Sequence, residues 1–331
     1  MAAAPLSPSH AARHRQRRGG RLTRFVRRVG SMRVAASLDD NALDAHAGFA
    51  CRLADAAAKV TTASFRSEAF QRGGDGVERK ADASPVTFVD RGAELAMREL
   101  IEAEYNGTHG IVGEEYGSVE GDKDMALTWV LDPIDGTKSF ITGKPLYTTL
   151  VALTHAGEPI VGVIDQPVLG ERWVGVRGRT TTFNGRELRA ATKQRRAKDN
   201  DDAGTSEGDN VLAGTYLYAT SPQMFSEEDG SAAAFERLRH ACGLALYGCD
   251  AYAYGLLASG FCDLVAEADL KPYDYLALVP VIEGAGGIIT DWQGCALKLH
   301  PGEEATPTRV LAAADARMHA RALEFLNRDD R

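Results

Sequence analysis

The chain has 331 residues, of which 44% are hydrophobic and 25% charged, and its net charge is −8 at pH 7. These values are ordinary for a globular protein, and no apolar run approaches the roughly 20 residues that a membrane-spanning helix needs, so we expect no membrane partner. The five cysteines have no C-x-x-C spacing, which argues against a cysteine metal site and favours a reducing compartment.

Residues 1–38 contain nine arginines and no Asp or Glu. An Arg-rich, acid-free N-terminus is typical of an organellar transit peptide, and a basic arm that grips nucleic acid is the alternative. Without those nine charges, residues 39–331 carry −17 (−8 − 9). A protein with this much negative charge repels the phosphate backbone of a nucleic acid. We therefore expect an imported protein, cleaved near "VAAS" (34–37), with no nucleic-acid partner.

The first third of the chain alternates helical and extended patterns. The spacing of apolar residues predicts, in chain order, a helix over 39–70, an extended piece over 86–89, a helix over 91–105, and strands over 109–115 and 127–132. Both strands end in acidic residues. Between 147 and 176, β-branched runs broken by Gly and Pro predict further strands, and Asn184-Gly185 predicts a hairpin.

A polar, low-complexity stretch over 193–210 predicts an exposed insertion between two halves of the chain. Beyond it the pattern predicts strands over 211–220, 261–268, 287–292 and 309–314, and helices over 231–242, 251–260, 274–287 and 316–326. This order of strands and helices indicates an α/β fold of the layered-sandwich type. We expect two lobes, residues 39–192 and 211–331.

Three acidic clusters lie beside breaks in the predicted elements. They are Glu114-Glu115 after "IVG", the pair Asp132 and Asp135 in "VLDPIDGTK", and Asp274 in "LKPYDYLAL". Each has an ordinary explanation. Adjacent glutamates often form a solvated edge, Asp-Pro-x-Asp-Gly is good turn chemistry, and an Asp in the first turn of a helix favours the helix dipole.

Taken together, the clusters favour metal chemistry. Mg²⁺ prefers oxygen ligands, and two such ions can activate a water and stabilise a leaving oxygen. Gly136 and Thr137 open a predicted helix, where bare amides can hold a phosphate, and the Thr137 hydroxyl could orient the water. Pro133 fixes the backbone between the two aspartates. The pattern indicates metal-assisted hydrolysis of a phosphate ester.

The segments "WVLDPIDGTKSF" (129–140), "GEE" (113–115) and "YD" (273–274) resemble the inositol-monophosphatase superfamily. The D-P-I-D-G-T run is highly specific, and the resemblance covers 39–331 apart from 193–210. It implies an αβαβα fold in two lobes, two to three Mg²⁺ ions, a small phosphate-ester substrate and a homodimer. It also implies metal ligands at Glu114, Asp132, the Ile134 carbonyl, Asp135 and Asp274, and phosphate binding by Gly136 and Thr137. Glu114 and Thr137 would activate the water, and Asp90 would act near a third metal position.

The substrate is suggested by segments such as "KADASPVTFVD" (80–90) and the run from 247 to 287. They resemble the histidinol-phosphatase branch, of the plant and algal plastid type, which implies a role in histidine biosynthesis in the plastid stroma rather than the mitochondrion. Asp250 and Glu267 would contact the amine and imidazole of histidinol phosphate, although Asp250 could equally be a helix N-cap. Inositol monophosphate or a sugar phosphate is the alternative substrate, and a non-catalytic scaffold is a third possibility.

Overall fold

A computed structural model describes residues 38–72, 74–79, 85–122, 126–188, 211–302 and 306–328. The expected transit peptide and the expected insertion over 193–210 lie outside these residues. The described helices are α1 Asp40–Ser64, α2 Phe88–Tyr105, α3 Thr137–Ile141, α4 Ser231–Ala241, α5 Tyr252–Ala258, α6 Pro272–Tyr275, α7 Leu278–Gly284 and α8 Ala316–Leu326.

Two large sheets form the framework. Their strands are β3 Gly110–Gly113, β4 Gly117–Val119, β5 Leu127–Asp135, β6 Thr148–His155, β7 Glu158–Gln166, β8 Glu171–Val176, β9 Thr182–Phe183, β10 Arg186–Glu187, β11 Tyr216–Ala219, β12 Leu244–Tyr247, β13 Leu264–Leu270, β14 Ile288–Asp291 and β15 Thr308–Ala313. A separate hairpin pairs β1 Val77–Arg79 with β2 Pro85–Thr87. The eight-stranded sheet has the order β10-β9-β8-β7-β6-β5-β3-β4, and the five-stranded sheet has the order β12-β11-β13-β15-β14.

The buried side chains show five stacked layers. Helices α1 and α2 cover one face of the eight-stranded sheet, where Phe49 and Met97 pack with Trp129. Helices α5, α6 and α7 fill the space between the two sheets. Helices α4 and α8 cover the far face of the five-stranded sheet, as Phe235 and Leu326 show. The layered α/β fold, in the αβαβα order that the resemblance implied, is confirmed.

Two glycines set the distance between the eight-stranded sheet and the middle helices. Gly162 and Gly175 face each other across β7 and β8. A Cβ atom on Gly162 would lie 2.0 Å from the Ala277 carbonyl oxygen, and one on Gly175 would lie 2.2 Å from the Pro280 carbonyl carbon. The backbone from the junction of α6 and α7 into the first turn of α7 therefore lies directly against the sheet, and this contact sets the depth of α6 and of Asp274.

Several predicted boundaries were wrong. Phe88 and Val89 are helical rather than extended, because a capping box between Thr87 and Asp90 starts α2 at Phe88. Helix α1 ends at Ser64, where the next residue turns to an extended conformation. The predicted helix over 274–287 is split into α6 and α7, since Pro280 lacks the N–H that would bond to the carbonyl four residues earlier.

Other strand predictions were confirmed or extended. Asn184 and Gly185 form the predicted hairpin turn, both with positive φ. Strand β11 begins at Tyr216 rather than at 211, and the short strands β4 and β12 were not predicted. No helix in the described part of the chain is both long and apolar enough to cross a bilayer.

Candidate active site

The adjacent ends of β3 and β5 place two of the acidic clusters together. These strands are parallel, and Gly113 pairs with Leu131. The Glu114 amide then donates to the Leu131 carbonyl at 3.2 Å, so Glu114 lies next to Asp132. Because the carboxyl ends of parallel strands meet at one sheet edge, both acids face the same region.

The segment Asp132–Asp135 is a bulged strand rather than a turn. Asp132 pairs with Leu150 and Asp135 with Thr148 on β6, so β5 holds one extra residue. Within the bulge, the Ile134 amide donates to Asp132 Oδ1 at 3.0 Å. A bulge changes the face to which a later side chain points, so residues three apart can serve one site. The plain turn considered from the sequence is wrong.

Asp274 joins the two aspartates from the middle layer. It lies on α6, which begins at Pro272, and its Oδ2 accepts a hydrogen bond from the Lys271 amide at 2.6 Å. Asp132, Asp135 and Asp274 each offer a carboxylate oxygen, and these oxygens lie within 4.8 Å of one another. The structure thus brings together three side chains that are distant in the sequence.

Burial and mutual repulsion dominate the electrostatics of this cluster. Burial, followed by the charges of neighbouring acids, raises the pKa of Asp132 and of Asp135 well above the usual range. The same causes, burial and then Glu114, raise the pKa of Asp274 to about 8. Carboxylates held so close are stabilised by a cation between them, and hard oxygen donors suit Mg²⁺. The residues therefore fit a divalent cation.

Thr137 and Asp90 form a polar pair beside the cluster. The Thr137 Oγ1 lies 3.2 Å from the Ile134 carbonyl oxygen and 3.4 Å from Asp90 Oδ1. Asp90 is fully buried, and burial raises its pKa to about 6, against the opposing effect of hydrogen bonds from Thr87. Gly136 starts α3 with φ +86°, and a Cβ there would lie 2.8 Å from Asp250 Oδ2. Only glycine fits that position.

Asp250 faces the same region from the loop before α5. Its φ is +48°, and its Oδ2 accepts a hydrogen bond from Ser139 Oγ at 3.0 Å. It does not cap α5, which has no side-chain cap, so the N-cap explanation is wrong. Burial raises the pKa of Asp250, while Ser139, Lys144 and Lys138 oppose that rise. The next amide, that of Ala251, donates to Asp135 Oδ2 at 2.6 Å.

Glu267 is buried on β13, and protein donors surround its carboxylate. Oε1 accepts from the Thr220 amide at 2.9 Å and from the Thr220 hydroxyl. Oε2 accepts from the Tyr254 hydroxyl at 3.0 Å. Burial raises the pKa of Glu267, and these hydrogen bonds oppose the rise. Glu267 thus links the end of β11 to α5, beside Asp250.

Sequence reasoning missed two residues that support the site. Thr148 donates to Asp135 Oδ2 at 3.2 Å, and Glu94 accepts the amides of Glu115 and Tyr116. A usable signal existed for Glu94, which lies four residues after Asp90 and therefore on the same helix face. Thr148 had no local signal, because its partner lies on another strand.

A separate cavity of about 720 Å³ lies between α1 and strands β7 to β9. Its lining includes Cys51, Asp165 and Arg172, and the three clustered aspartates do not line it. His109 is buried in the core, where its Nδ1 accepts a hydrogen bond from Trp129 Nε1 at 3.0 Å. The chemistry therefore concentrates at the acidic cluster.

Comparisons with known proteins show which family and which folds the chain is similar to. The family model "Inositol monophosphatase family" matches residues 43–328. The chloroplastic bifunctional phosphatase IMPL2 of Arabidopsis thaliana is 46% identical over 87% of this chain and 77% of its own length. A histidinol-phosphatase of Streptomyces coelicolor is 32% identical over 83% of this chain and 94% of its own. An inositol monophosphatase structure from Zymomonas mobilis has a TM-score of 0.68 at 39% identity, covering 86% of this chain and 98% of that one.

Proposed function

Because the chain belongs to the inositol monophosphatase family, and is a phosphatase of that superfamily, we propose that it hydrolyses L-histidinol phosphate to L-histidinol and phosphate with Mg²⁺ as cofactor. The observation that carries the proposed chemistry is the convergence of Asp132, Asp135 and Asp274, whose carboxylate oxygens lie within 4.8 Å of one another. The family is metal-dependent, typically on Mg²⁺.

The metal would be held by the side chains that converge at the cluster. In this proposal the ligands are the carboxylates of Glu114, Asp132, Asp135 and Asp274 and the carbonyl of Ile134, for two to three ions. When bound, Mg²⁺ supplies positive charge to the phosphate oxygens and lowers the pKa of a water molecule. The bulge after Asp132 supports this arrangement, since it turns both aspartates toward one site.

The remaining residues would bind the ester and direct the water. The amides of Gly136 and Thr137 would hold the phosphate, because amides at a helix start are unpaired donors. The Thr137 hydroxyl, held near Asp90 and the Ile134 carbonyl, would orient the water, and Glu114 would accept its proton. The water oxygen bonds to phosphorus, the bond from phosphorus to the ester oxygen breaks, and the alcohol leaves with a proton from solvent.

The choice of histidinol phosphate rests on charge and on the relatives. This substrate carries an amine and an imidazole, and the half-buried carboxylate of Asp250 lies beside the proposed phosphate site, with the buried Glu267 behind it. Proteins named histidinol-phosphatase are 31–32% identical to the chain. The 39% identity to an inositol monophosphatase favours inositol monophosphate as the second candidate.

A substrate panel tests the proposal directly. Phosphate release would be measured from histidinol phosphate, inositol 1-phosphate and a sugar phosphate, each with Mg²⁺ and with a chelator. We expect histidinol phosphate to be preferred by orders of magnitude in kcat/KM, with all release dependent on Mg²⁺. A preference for inositol phosphate would replace the substrate, and release without metal would overturn the mechanism. No release at all would favour a non-catalytic scaffold.

Location and assembly follow from the same proposal. The arginine-rich, acid-free residues 1–38 and the chloroplastic relative support import into the plastid stroma. We also propose a homodimer, as the family resemblance implied. Import of a fluorescent fusion carrying residues 1–38, and light scattering of the purified enzyme, test these two points separately.

A further inference from the structure

Glu94 is a fully buried carboxylate that the proposed mechanism does not use. It lies on α2, one helical turn after Asp90, and its side chain has no solvent exposure. Its Oε1 pairs with Nε of Arg98 at 2.7 Å. A buried acid is costly unless it is paired and hydrogen-bonded, so its remaining contacts indicate its role.

Those contacts go to the loop that carries Glu114. Glu94 Oε2 accepts the Glu115 amide at 2.7 Å, and Oε1 accepts the Tyr116 amide at 3.2 Å. Arg98 extends the contact, since its guanidinium donates to the Gly117 carbonyl. The ion pair on α2 thus binds three consecutive residues immediately after Glu114.

Gly113 shows how closely this loop approaches the ion pair. A Cβ on Gly113 would lie 2.1 Å from Glu94 Oε1 and 2.7 Å from an Arg98 nitrogen. A side chain at this position would therefore displace either the loop or the Glu94–Arg98 ion pair. The backbone before Glu114 and the amides after it both lie against Glu94.

The two sides of Glu114 are consequently fixed by different elements. Its own amide is held by the Leu131 carbonyl of β5 at 3.2 Å, and the two amides that follow are held by Glu94 of α2. A backbone fixed at both points has little freedom to turn the Glu114 side chain away from Asp132.

Stability alone is a weak reason for such an ion pair. Buried ion pairs often add little net stability, because desolvation offsets the attraction. By contrast, mutation of a residue that orients a metal ligand without contacting the metal typically lowers metal affinity or activity by roughly 10- to 100-fold.

We propose that Glu94 is a positioning residue for the metal centre: by holding the amides of Glu115 and Tyr116, it fixes Glu114 in the orientation that binds the ion. This inference rests on the metal centre of the proposed function. Glu94 itself does not contact the metal, so its removal affects affinity for the ion more than the chemical step at saturating metal.

The test is Glu94→Gln, which keeps the size of the side chain and replaces one acceptor oxygen by a donor. Mn²⁺ binding to the chelator-treated protein is measured by electron paramagnetic resonance, with no substrate present. We expect binding weaker than wild type by about 10- to 100-fold. In the activity assay, the Mg²⁺ concentration for half-maximal rate rises by a similar factor, while kcat at saturating Mg²⁺ falls less.

Two control variants separate positioning from stability. Glu99→Gln changes an exposed acid of the same helix and leaves both melting temperature and Mn²⁺ affinity unchanged. Asp165→Asn breaks another buried ion pair, with Arg172, and lowers the melting temperature without weakening Mn²⁺ binding. A Glu94→Gln protein that loses stability but binds Mn²⁺ as tightly as wild type overturns the inference.

Conservative variants keep the test decisive if Glu94→Gln does not fold. Glu94→Asp keeps the charge but shortens the side chain, and Arg98→Lys keeps the charge but loses the planar contact to Gly117. Each is expected to weaken Mn²⁺ binding by a smaller factor, and unchanged affinity in both overturns the inference. Failure of the wild-type protein to bind Mn²⁺ would instead overturn the metal centre and the proposed function.

Discussion

Asp132 and Asp135 are three residues apart, a spacing that in a regular strand points two side chains to opposite faces. The extra residue in β5 removes this conflict. Hydrogen bonds from Thr148 to Asp135 and from the Ile134 amide to Asp132 then hold the two carboxylates. A local backbone irregularity therefore makes a shared site possible.

Asp132→Asn tests whether the cluster is a metal centre. Because the amide removes one negative charge and is a poorer metal ligand, we expect turnover to fall below about 1% of wild type, since even outer-shell changes cost roughly 10- to 100-fold. The metal-free variant should melt no lower than wild type, because one source of repulsion at a buried acid is gone. Steady-state assays with Mg²⁺ and thermal melts with a chelator measure the two effects.

An active Asp132→Asn protein would contradict the metal assignment. The matched control is Asp269→Asn, which changes an exposed acid whose described ion pair is with Lys271. That change should leave turnover close to wild type.

The sequence was sufficient to locate Asp132, Asp135 and Asp274, because the motif around each is distinctive. It did not reveal the left-handed backbone of Asp250, which no local pattern marks, and so it left an N-cap as the alternative role. Nor did it reveal the three donors around Glu267, since they come from Thr220, just after β11, and from Tyr254 on α5. Contacts between distant segments depend on the assembled fold.

At the scale of elements, two glycines determine how close the middle helices come to the eight-stranded sheet. Gly162 and Gly175 are paired across β7 and β8. Because neither has a side chain, the backbone around Ala277 and Pro280 packs on the strands directly. This segment immediately follows Asp274, so the spacing of the layers controls the position of a proposed ligand.

Gly175→Ala should therefore destabilise the protein and disturb the site. The added methyl would lie 2.2 Å from the Pro280 carbonyl carbon, and overpacking a core costs about 1–3 kcal/mol. We expect a melting temperature several degrees lower and a higher Mg²⁺ requirement. Differential scanning calorimetry and a Mg²⁺ titration of activity provide the measurements.

Gly48→Ala is the control, since a Cβ at this α1 position meets nothing within 4 Å. Alanine in a helix is favoured over glycine by roughly 0.5–1 kcal/mol, so the control should be slightly more stable than wild type. Equal stability of Gly175→Ala and wild type would show that the layers can separate without cost.

Element types were more predictable than element boundaries. The start of α2 depended on the capping box between Thr87 and Asp90, whereas the predicted extended piece continued through Phe88 and Val89. The break between α6 and α7 could have been expected from Pro280, whereas the short strands β4 and β12 exist mainly because of their neighbours in the sheets. Short edge strands carry little pattern of their own.

At the scale of the whole molecule, the proposed site lies where the layers meet. Glu114, Asp132 and Asp135 come from strand ends of the eight-stranded sheet, while Asp274 lies on the middle helix α6 and Asp250 in the loop before α5. Neither set of residues forms the cluster alone. The layered fold could be predicted through the family resemblance, but the meeting of these five acids follows from packing between the sheet and the helices.

Because the same acids would bind protons and the metal, we expect the stability of the protein to depend on pH and on metal together. Burial raises the pKa of Asp90 to about 6 and that of Asp274 to about 8, both from 3.8. Between about pH 4, where these carboxyls titrate in the unfolded chain, and about pH 8, the folded, metal-free protein binds more protons than the unfolded chain. Stability from these groups therefore falls as pH rises from about 4 through 8.

A bound cation reverses that loss, because it stabilises the ionised carboxylates and binds only the folded state. We expect a chelator to lower the melting temperature more at pH 8 than at pH 6, and Mg²⁺ affinity to increase over the same range. In Asp274→Asn, which lacks the group with the pKa of about 8, the difference between the two pH values should shrink. Calorimetry at both pH values with and without chelator measures this, and an equal chelator effect at both would show that protons and metal do not compete at the cluster.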